Sequence, residues 1–297
     1  MNVLVVGSAI VDLIARPLST VRADASNEAE IAWAEGGAGR NIAENLARLG
    51  ASVTFVTDAA DDAPGRFLLE GLRHLGIDVR LSRRDRTGLY LAILHADGTL
   101  DRGYCHTGTE HIGVDEVLAV MPDVGAFDGA IIDANLQSDV VCALADRCRA
   151  AGVPYALETA AHERSLRVAR AIPSCAFIKP DRAEATALTN LPCETADQAL
   201  ACADDLLAMG AARALVSLGA DGLAFAGDGM RTILPALPTT VTDVTGAGDA
   251  MLAAVFMGIL ADTPPSRYLE AGRRAAALTC ASRGAVSPKI GPHVFDE

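Results

Sequence analysis

Aromatic side chains make up only 4% of this 297-residue chain, with a single Trp, Trp33. A core so poor in rings is filled by Ala, Leu and Val. The 51% hydrophobic content and 27 glycines suit a parallel sheet covered by helices. Basic residues are also scarce: 25 Lys and Arg against 38 Asp and Glu leave a net charge of -13. That imbalance argues against nucleic acid or an anionic membrane as the main partner, because both need a positive surface. A small anion needs only local positive potential. No apolar run approaches membrane-spanning length. The seven cysteines form no CxxC pair and show no Cys/His metal spacing, so free thiols in a reducing cytoplasm are expected. His95, His106 and His111 have no ligand spacing either. There is no GxxxxGK[ST] and no apparent Ser/His/Asp set, which removes a Lys-bearing phosphate loop and acyl transfer.

What is present is an α/β rhythm. Residues 3–6 are an unbroken apolar strand ending at Gly7-Ser8. Asp12 follows closely, either as a turn cap or as a ligand group at a strand end. Residues 13–33 read as an excursion of strands. Glu35-Gly36-Gly37-Ala38-Gly39-Arg40-Asn41 then leads into an amphipathic helix with Ile42, Leu46 and Leu49 on one face and Gly50 as its stop. The spacing is G-G-x-G, and Asn41 stands where a dinucleotide fingerprint needs its last glycine, which speaks against an oxidoreductase. Residues 87–104 read as a hairpin turned at Asp97-Gly98, able to join the 13–33 excursion in a small separate sheet. From residue 116 onward strands and helices alternate. Four strands end in polar or glycine-rich residues: Asp133 to Asn135, Glu158, Lys179 to Asp181, and Ser217 to Gly222. In a parallel sheet those ends line one edge and build a cleft. Without repeats, charge blocks or a linker, residues 1–297 are one domain.

The stretch Thr240-Val241-Thr242-Asp243-Val244-Thr245-Gly246-Ala247-Gly248-Asp249 begins as a β-branched run, turns at two glycines and enters an apolar helix. Glycines there let backbone N–H groups converge, and the helix adds the positive end of its dipole. Such a turn holds an anion. Asp249 beside it is either a helix cap or a base that takes a proton from a hydroxyl.

Together the two glycine-bearing motifs, in this order and about two hundred residues apart, make the chain resemble the ribokinase-like family of ATP-dependent sugar and nucleoside kinases. The first is Gly36-Gly37-Ala38-Gly39-Arg40-Asn41-Ile42-Ala43. The second is Asp243-Val244-Thr245-Gly246-Ala247-Gly248-Asp249, close to DTxGAGD. The resemblance implies a three-layer sandwich with a central, mostly parallel sheet and a small β lid at about 13–35 and 87–106. It implies Asp249 as the base, with the backbone of Gly246, Ala247 and Gly248 as the anion hole. Asp12, Gly36, Gly37, Arg40 and Asn41, with Asp133, Asn135 and Glu158, would surround the acceptor. Lys179, Asp181, Ser217, Gly219, Gly222, Thr245, Ala277 and Cys280 would serve ATP, and Glu184 magnesium. Asp181 stands where the family's Asn-x-x-Glu has Asn. Potassium near the anion loop and a homodimer through the lid are further implications. Within the family, residues 36–47 with Asp133-Ala134-Asn135-Leu136 and Glu158 are most similar to pseudouridine kinases. Those phosphorylate the 5′-hydroxyl of a C-nucleoside. Thr159-Ala160 departs from the Pro-Val-Ser-like stretch expected after Glu158.

Overall fold

A computed structural model describes residues 1–296 except 23, 98 and 107. Gly98, half of the expected Asp97-Gly98 turn, therefore lies outside the described residues. In chain order the strands are β1 (Asn2–Val6), β2 (Ile10–Pro17), β3 (Ala29–Gly36), β4 (Ser52–Ala59), β5 (Asp78–Arg83), β6 (Gly88–Leu94) and β7 (Leu100–His106). They continue as β8 (Gly129–Asp133), β9 (Tyr155–Glu158), β10 (Phe177–Ile178), β11 (Arg213–Ser217), β12 (Leu223–Gly227) and β13 (Met230–Leu234). The helices are α1 (Ala38–Arg48), α2 (Ala63–His74), α3 (Val114–Val120), α4 (Ser138–Ala151), α5 (His162–Ser165), α6 (Arg182–Thr189), α7 (Ala196–Ala208), α8 (Ala247–Leu260) and α9 (Pro265–Cys280).

Nine strands form one sheet in the order β13-β12-β11-β10-β9-β8-β1-β4-β5. All pairs from β11 to β5 are parallel, and β12 and β13 add an antiparallel edge. The parallel strands β1 and β8 are continuous apolar runs because helices cover both of their faces. On one face Ile42, Leu46, Leu68 and Phe256 bring α1, α2 and α8 onto the sheet, joined by Tyr268 of α9. On the other, Val117, Leu144, Ala185 and Leu206 do the same for α3, α4, α6 and α7. This is the ribokinase-like α/β fold. Helix α8 is apolar all round and buried from Ala250 to Gly258, as a helix wedged between α1 and α9 must be.

A second sheet stands apart, in the order β3-β2-β6-β7. It is tied down at both ends of its β6–β7 hairpin. The Thr87 hydroxyl donates to Asp62 at 2.6 Å, and Thr109 donates to the buried Asp58 at 2.7 Å. Trp33 meets Phe67 of α2 edge-on, with ring centres 5.8 Å apart.

Two segments differ from the sequence expectation. Residues 240–244 form no strand: the Thr242 N–H donates to the Cys280 carbonyl at the end of α9, so the backbone partner is a helix terminus rather than a strand. The β12–β13 hairpin was not expected; Asp228 (φ 52) and Gly229 (φ 71) make the left-handed pair that such a tight turn requires.

Candidate active site

The glycines of the first motif are set by close backbone crossing. A Cβ on Gly36 would come 2.4 Å from the Asp12 carboxylate, and one on Gly37 (φ 96) would strike the Ser8 carbonyl at 2.6 Å. Gly39 lies equally tight against Gly7 and Ser8. The start of α1 is thereby seated on the β1–β2 junction, with the Arg40 N–H donating to the Ser8 carbonyl at 2.9 Å.

That seating aims Asn41 across the molecule. Its Nδ2 donates to Asp249 Oδ2 at 2.8 Å, joining residues 208 positions apart. Asp249 Oδ1 makes no hydrogen bond among the described residues. Burial lifts the Asp249 pKa above the ordinary carboxylate range, and nearby Asp133 and Glu184 add to the rise; the Asn41 bond and the Lys179 charge pull against it. Arg40 lies behind Asn41. It is 5% exposed, and its guanidinium donates to Asn41 Oδ1 at 3.2 Å, to Glu35 at 2.6 Å and to Glu44. Its planar fork is thus spent on fixing Asn41 and neighbouring carboxylates.

Asp133 is similarly occupied. One oxygen accepts from the Ser8 N–H and hydroxyl, the other from the Asn135 N–H and Nδ2, all at 2.8–2.9 Å. Its carboxylate holds the wall of the site in place. Asp12, on β2 of the small sheet, has fewer partners. Burial raises its pKa to about 6 against the opposing charge of Arg40.

Glu158 and Lys179, at adjacent strand ends, are both buried. Glu158 Oε1 accepts from the Ala160 N–H at 3.1 Å, while Oε2 is buried without a partner. Burial raises the Glu158 pKa, with Lys179 opposing and Asp249 adding. Burial works against the Lys179 charge, but Glu158, Glu184 and Asp249 outweigh it and lift its pKa. The ammonium lies 3.1 Å from where a Cβ on Gly248 would stand, so glycine there admits it. Gly246 caps α8 at φ 75, and a Cβ would meet the Ala285 carbonyl at 1.9 Å. Of the first-turn amides of α8, that of Ala247 donates back to the Val244 carbonyl at 3.3 Å. Those of Gly248 and Asp249 have no intrahelical acceptor and begin the helix beside this cluster of charges.

Beyond them lies a cavity of about 900 Å³ whose walls include Ser217, Gly219, Gly222, Val244, Ala277 and Cys280. Thr245 is spent on its own loop, donating its N–H to Asp243 at 2.9 Å. Asp181 caps α6 by accepting the Glu184 N–H at 2.9 Å, and Glu184 Oε2 returns the bond, accepting from the Asp181 N–H at 2.8 Å and from Thr159 at 2.6 Å. A carboxylate serves that cap as well as an amide.

Among the described residues no group of three His, Cys, Asp or Glu side chains could hold a metal alone. A magnesium ion here would draw most of its ligands from phosphates and water, as that ion usually does. The unpartnered Glu158 oxygen beside Glu184 fits such a water-laden ion.

Arg164, Glu110, Tyr90 and Cys105 also stand around the acceptor end, and sequence reasoning missed them. Arg164 Nη1 donates to Asn135 Oδ1 at 2.5 Å, and Nη2 lies 2.7 Å from Glu110. No spacing rule marks them: Tyr90 and Cys105 come from facing lid strands, Glu110 from the turn after the lid and Arg164 from the four-residue α5.

Residues 1–290 match the pfkB family of carbohydrate kinases. The chain belongs to that family. Membership makes this pfkB-family kinase a phosphotransferase with an alcohol group as acceptor. It is 27% identical to guanosine-inosine kinase of Exiguobacterium acetylicum over 95% of both chains. It is 26% identical to pseudouridine kinase of Escherichia coli over 85% of this chain and 82% of that one. Arabidopsis thaliana ribokinase, solved with ribose and ATP, superposes with a TM-score of 0.85, at 22% identity, over 100% of this chain and 99% of that one.

Proposed function

We propose that this kinase transfers the γ-phosphoryl group of ATP to the 5′-hydroxyl of a ribonucleoside whose base carries ring carbonyls. Pseudouridine is the first candidate and a 6-oxopurine nucleoside the second. The observation that carries the reading is the Asn41–Asp249 hydrogen bond. It fixes one carboxylate oxygen and leaves the other for a hydroxyl beside the α8 amides. The two nucleoside kinases among its relatives support the choice of acceptor, and the ribokinase solved with ATP supports the donor.

In this mechanism Asp249, raised by burial, accepts the proton as the hydroxyl attacks. The α8 N-terminus and Lys179 meet the growing charge on the phosphoryl oxygens. Gly219 (φ 61), with open space above its Cα, lets the nucleotide approach the backbone. Magnesium, placed by Glu184 with Glu158, supplies neutralisation of phosphate charge when bound. The small sheet excludes water from the acceptor and, through exposed Ile31, Trp33 and Tyr104, offers a surface for a homodimer. A cytoplasmic protein with seven free thiols agrees with this role.

The test is a coupled kinase assay across pseudouridine, uridine, inosine, guanosine, adenosine, ribose and fructose. Pseudouridine or an oxopurine nucleoside should give the highest kcat/KM. Turnover of a free sugar with none of a nucleoside refutes the acceptor and leaves the kinase standing.

A further inference from the structure

The register of the small sheet places Asp12 opposite Tyr90, and Tyr90 opposite Cys105. Cross-strand partners share a face, so these three side chains cross the lid in a row about 10 Å long, two strand spacings. Asp12 stands at the end near Gly36, just ahead of the α1 turn that carries Asn41. At the other end stands Arg164: burial raises the pKa of the Cys105 thiol, and the positive charge of Arg164 opposes that larger effect. Arg164 arrives there by a sharp turn. Ala160 adopts a left-handed conformation (φ 60), unusual for a residue other than glycine, and folds the chain back from β9 into α5. The guanidinium is then gripped on two sides, by Asn135 Oδ1 at 2.5 Å and Glu110 Oε1 at 2.7 Å. Its side chain keeps 30% of its surface exposed. Five N–H groups in a fixed fork, two of them engaged, leave three donors and no acceptor for whatever enters between α5 and the lid.

We propose that Arg164 is a specificity-determining residue that hydrogen-bonds a ring carbonyl of the acceptor's base. It thereby selects oxo-base over amino-base nucleosides. The proposal rests on the nucleoside reading above. With the 5′-hydroxyl at Asp249 and the ribosyl hydroxyls near Asp12, the base is the part of the molecule left to reach the far end of the row. A carbonyl oxygen accepts from the fork. An exocyclic amino group in its place meets only donors and leaves N–H groups facing each other. Such mismatches separate substrates far better than differences in apolar size. Glu110 and Asn135 have a positioning role here, since they fix the plane of the guanidinium.

The experiment compares kcat/KM for inosine against adenosine, and for uridine against cytidine, in the wild-type protein, R164K and R164Q. The wild type should favour the oxo member of each pair at least tenfold. R164K keeps the charge and loses the fork, so the ratio should fall severalfold through the KM of the oxo member, with the KM for ATP unchanged. R164Q gains an acceptor oxygen and should raise turnover of the amino member, a change that a merely structural arginine would not produce. A wild type that accepts nucleosides without preference, or ratios unmoved in both variants, overturns the role of Arg164 alone. A wild type that accepts free sugars and no nucleoside overturns both the nucleoside reading and this one. Thermal melting of each variant identifies any loss that comes from unfolding, and the ratio within one variant is independent of how much folded protein is present.

Discussion

The two ends of the cleft are built on different principles. At the acceptor end, Asp133, Arg40, Asn41 and Asp249 are charges and amides locked in hydrogen bonds, two of which, Ser8 to Asp133 and Asn41 to Asp249, join segments far apart in the chain. At the nucleotide end, the walls are small apolar side chains and glycine backbone, with Ala277, Cys280, Gly219 and Gly222 prominent. Buried polar networks are costly when incomplete and specific when complete, whereas apolar walls tolerate substitution. Identity of the acceptor and chemistry are therefore concentrated at one end, and the other end mainly supplies shape. Damage should follow the same division, in turnover and stability at the first, in nucleotide KM at the second.

The most severe break in that contrast is Asp249→Asn. It should lower kcat by about 10²- to 10⁴-fold, the usual range for a lost general base. Turnover within tenfold of wild type would remove Asp249 as the base. The same variant should melt about 2–4 °C higher. The sign follows from linkage. A carboxylate whose folded pKa is raised favours the folded state only while protonated, and that contribution is lost as pH rises through the folded value. At neutral pH the buried charge costs stability, and an amide relieves it. Scanning calorimetry at pH 7.5 checks this, and an unchanged or lower Tm would count against it.

Next comes Arg40→Met, which removes the partner of Glu35, leaves Glu44 with Arg48 alone and releases Asn41. Removing one partner of a buried ion pair typically costs about 3–5 kcal/mol. Denaturant unfolding should show a loss of that order together with a fall in kcat; a mild loss would mean that the network is looser than its geometry.

A smaller effect is expected from Asn41→Ala. Its hydrogen bond opposes the rise in the Asp249 pKa, so without it the pKa climbs further. The acid limb of kcat/KM, already above the usual carboxylate range, should move to higher pH. A limb that stays in place dissociates Asn41 from the base.

Least of all should follow from Ser217→Ala at the nucleotide end, where the hydroxyl makes one long 3.4 Å bond to the Pro180 carbonyl. The KM for ATP should change less than about threefold, as a net neutral hydrogen bond of ~0.5 kcal/mol implies, with kcat unaltered. A loss of kcat there would erase the distinction between the two ends.

The same division governs what could be read before the fold was known. The parallel strands and α1 were legible because both are periodic over one face or two, and Gly36 to Asn41 and Gly246 to Asp249 announce themselves by glycine spacing. Strand β10 is only two residues long, yet Phe177 and Ile178 ending at Lys179 were enough to place a polar strand end. The irregular run 240–244 was not legible, since β-branched residues favour strands only where a partner strand exists. Residues Val241 and Val244 instead stay exposed beside the nucleotide cavity. The division of labour within the acceptor wall was also hidden. Sequence could group Arg40 and Asp133 with the site. It could not show that Arg40 is spent on the nearby Glu35 and Glu44 rather than turned to a ligand, nor that Asp133 is held by Ser8, because a hydrogen-bond partner 125 residues away leaves no local trace.

The bond between Asn41 and Asp249 also bears on how the protein comes into being. Its two halves are synthesised 208 residues apart, and loop-closing contacts of such length are made late in folding. A nascent chain that has emerged only as far as β13 already possesses the lid, the acceptor wall and part of the nucleotide cavity, but no base. Chains cut short ahead of α8 lack both the base and the apolar helix that covers one face of the sheet. The order of residues along the chain thus withholds the reactive group until nearly everything needed to control it has been made.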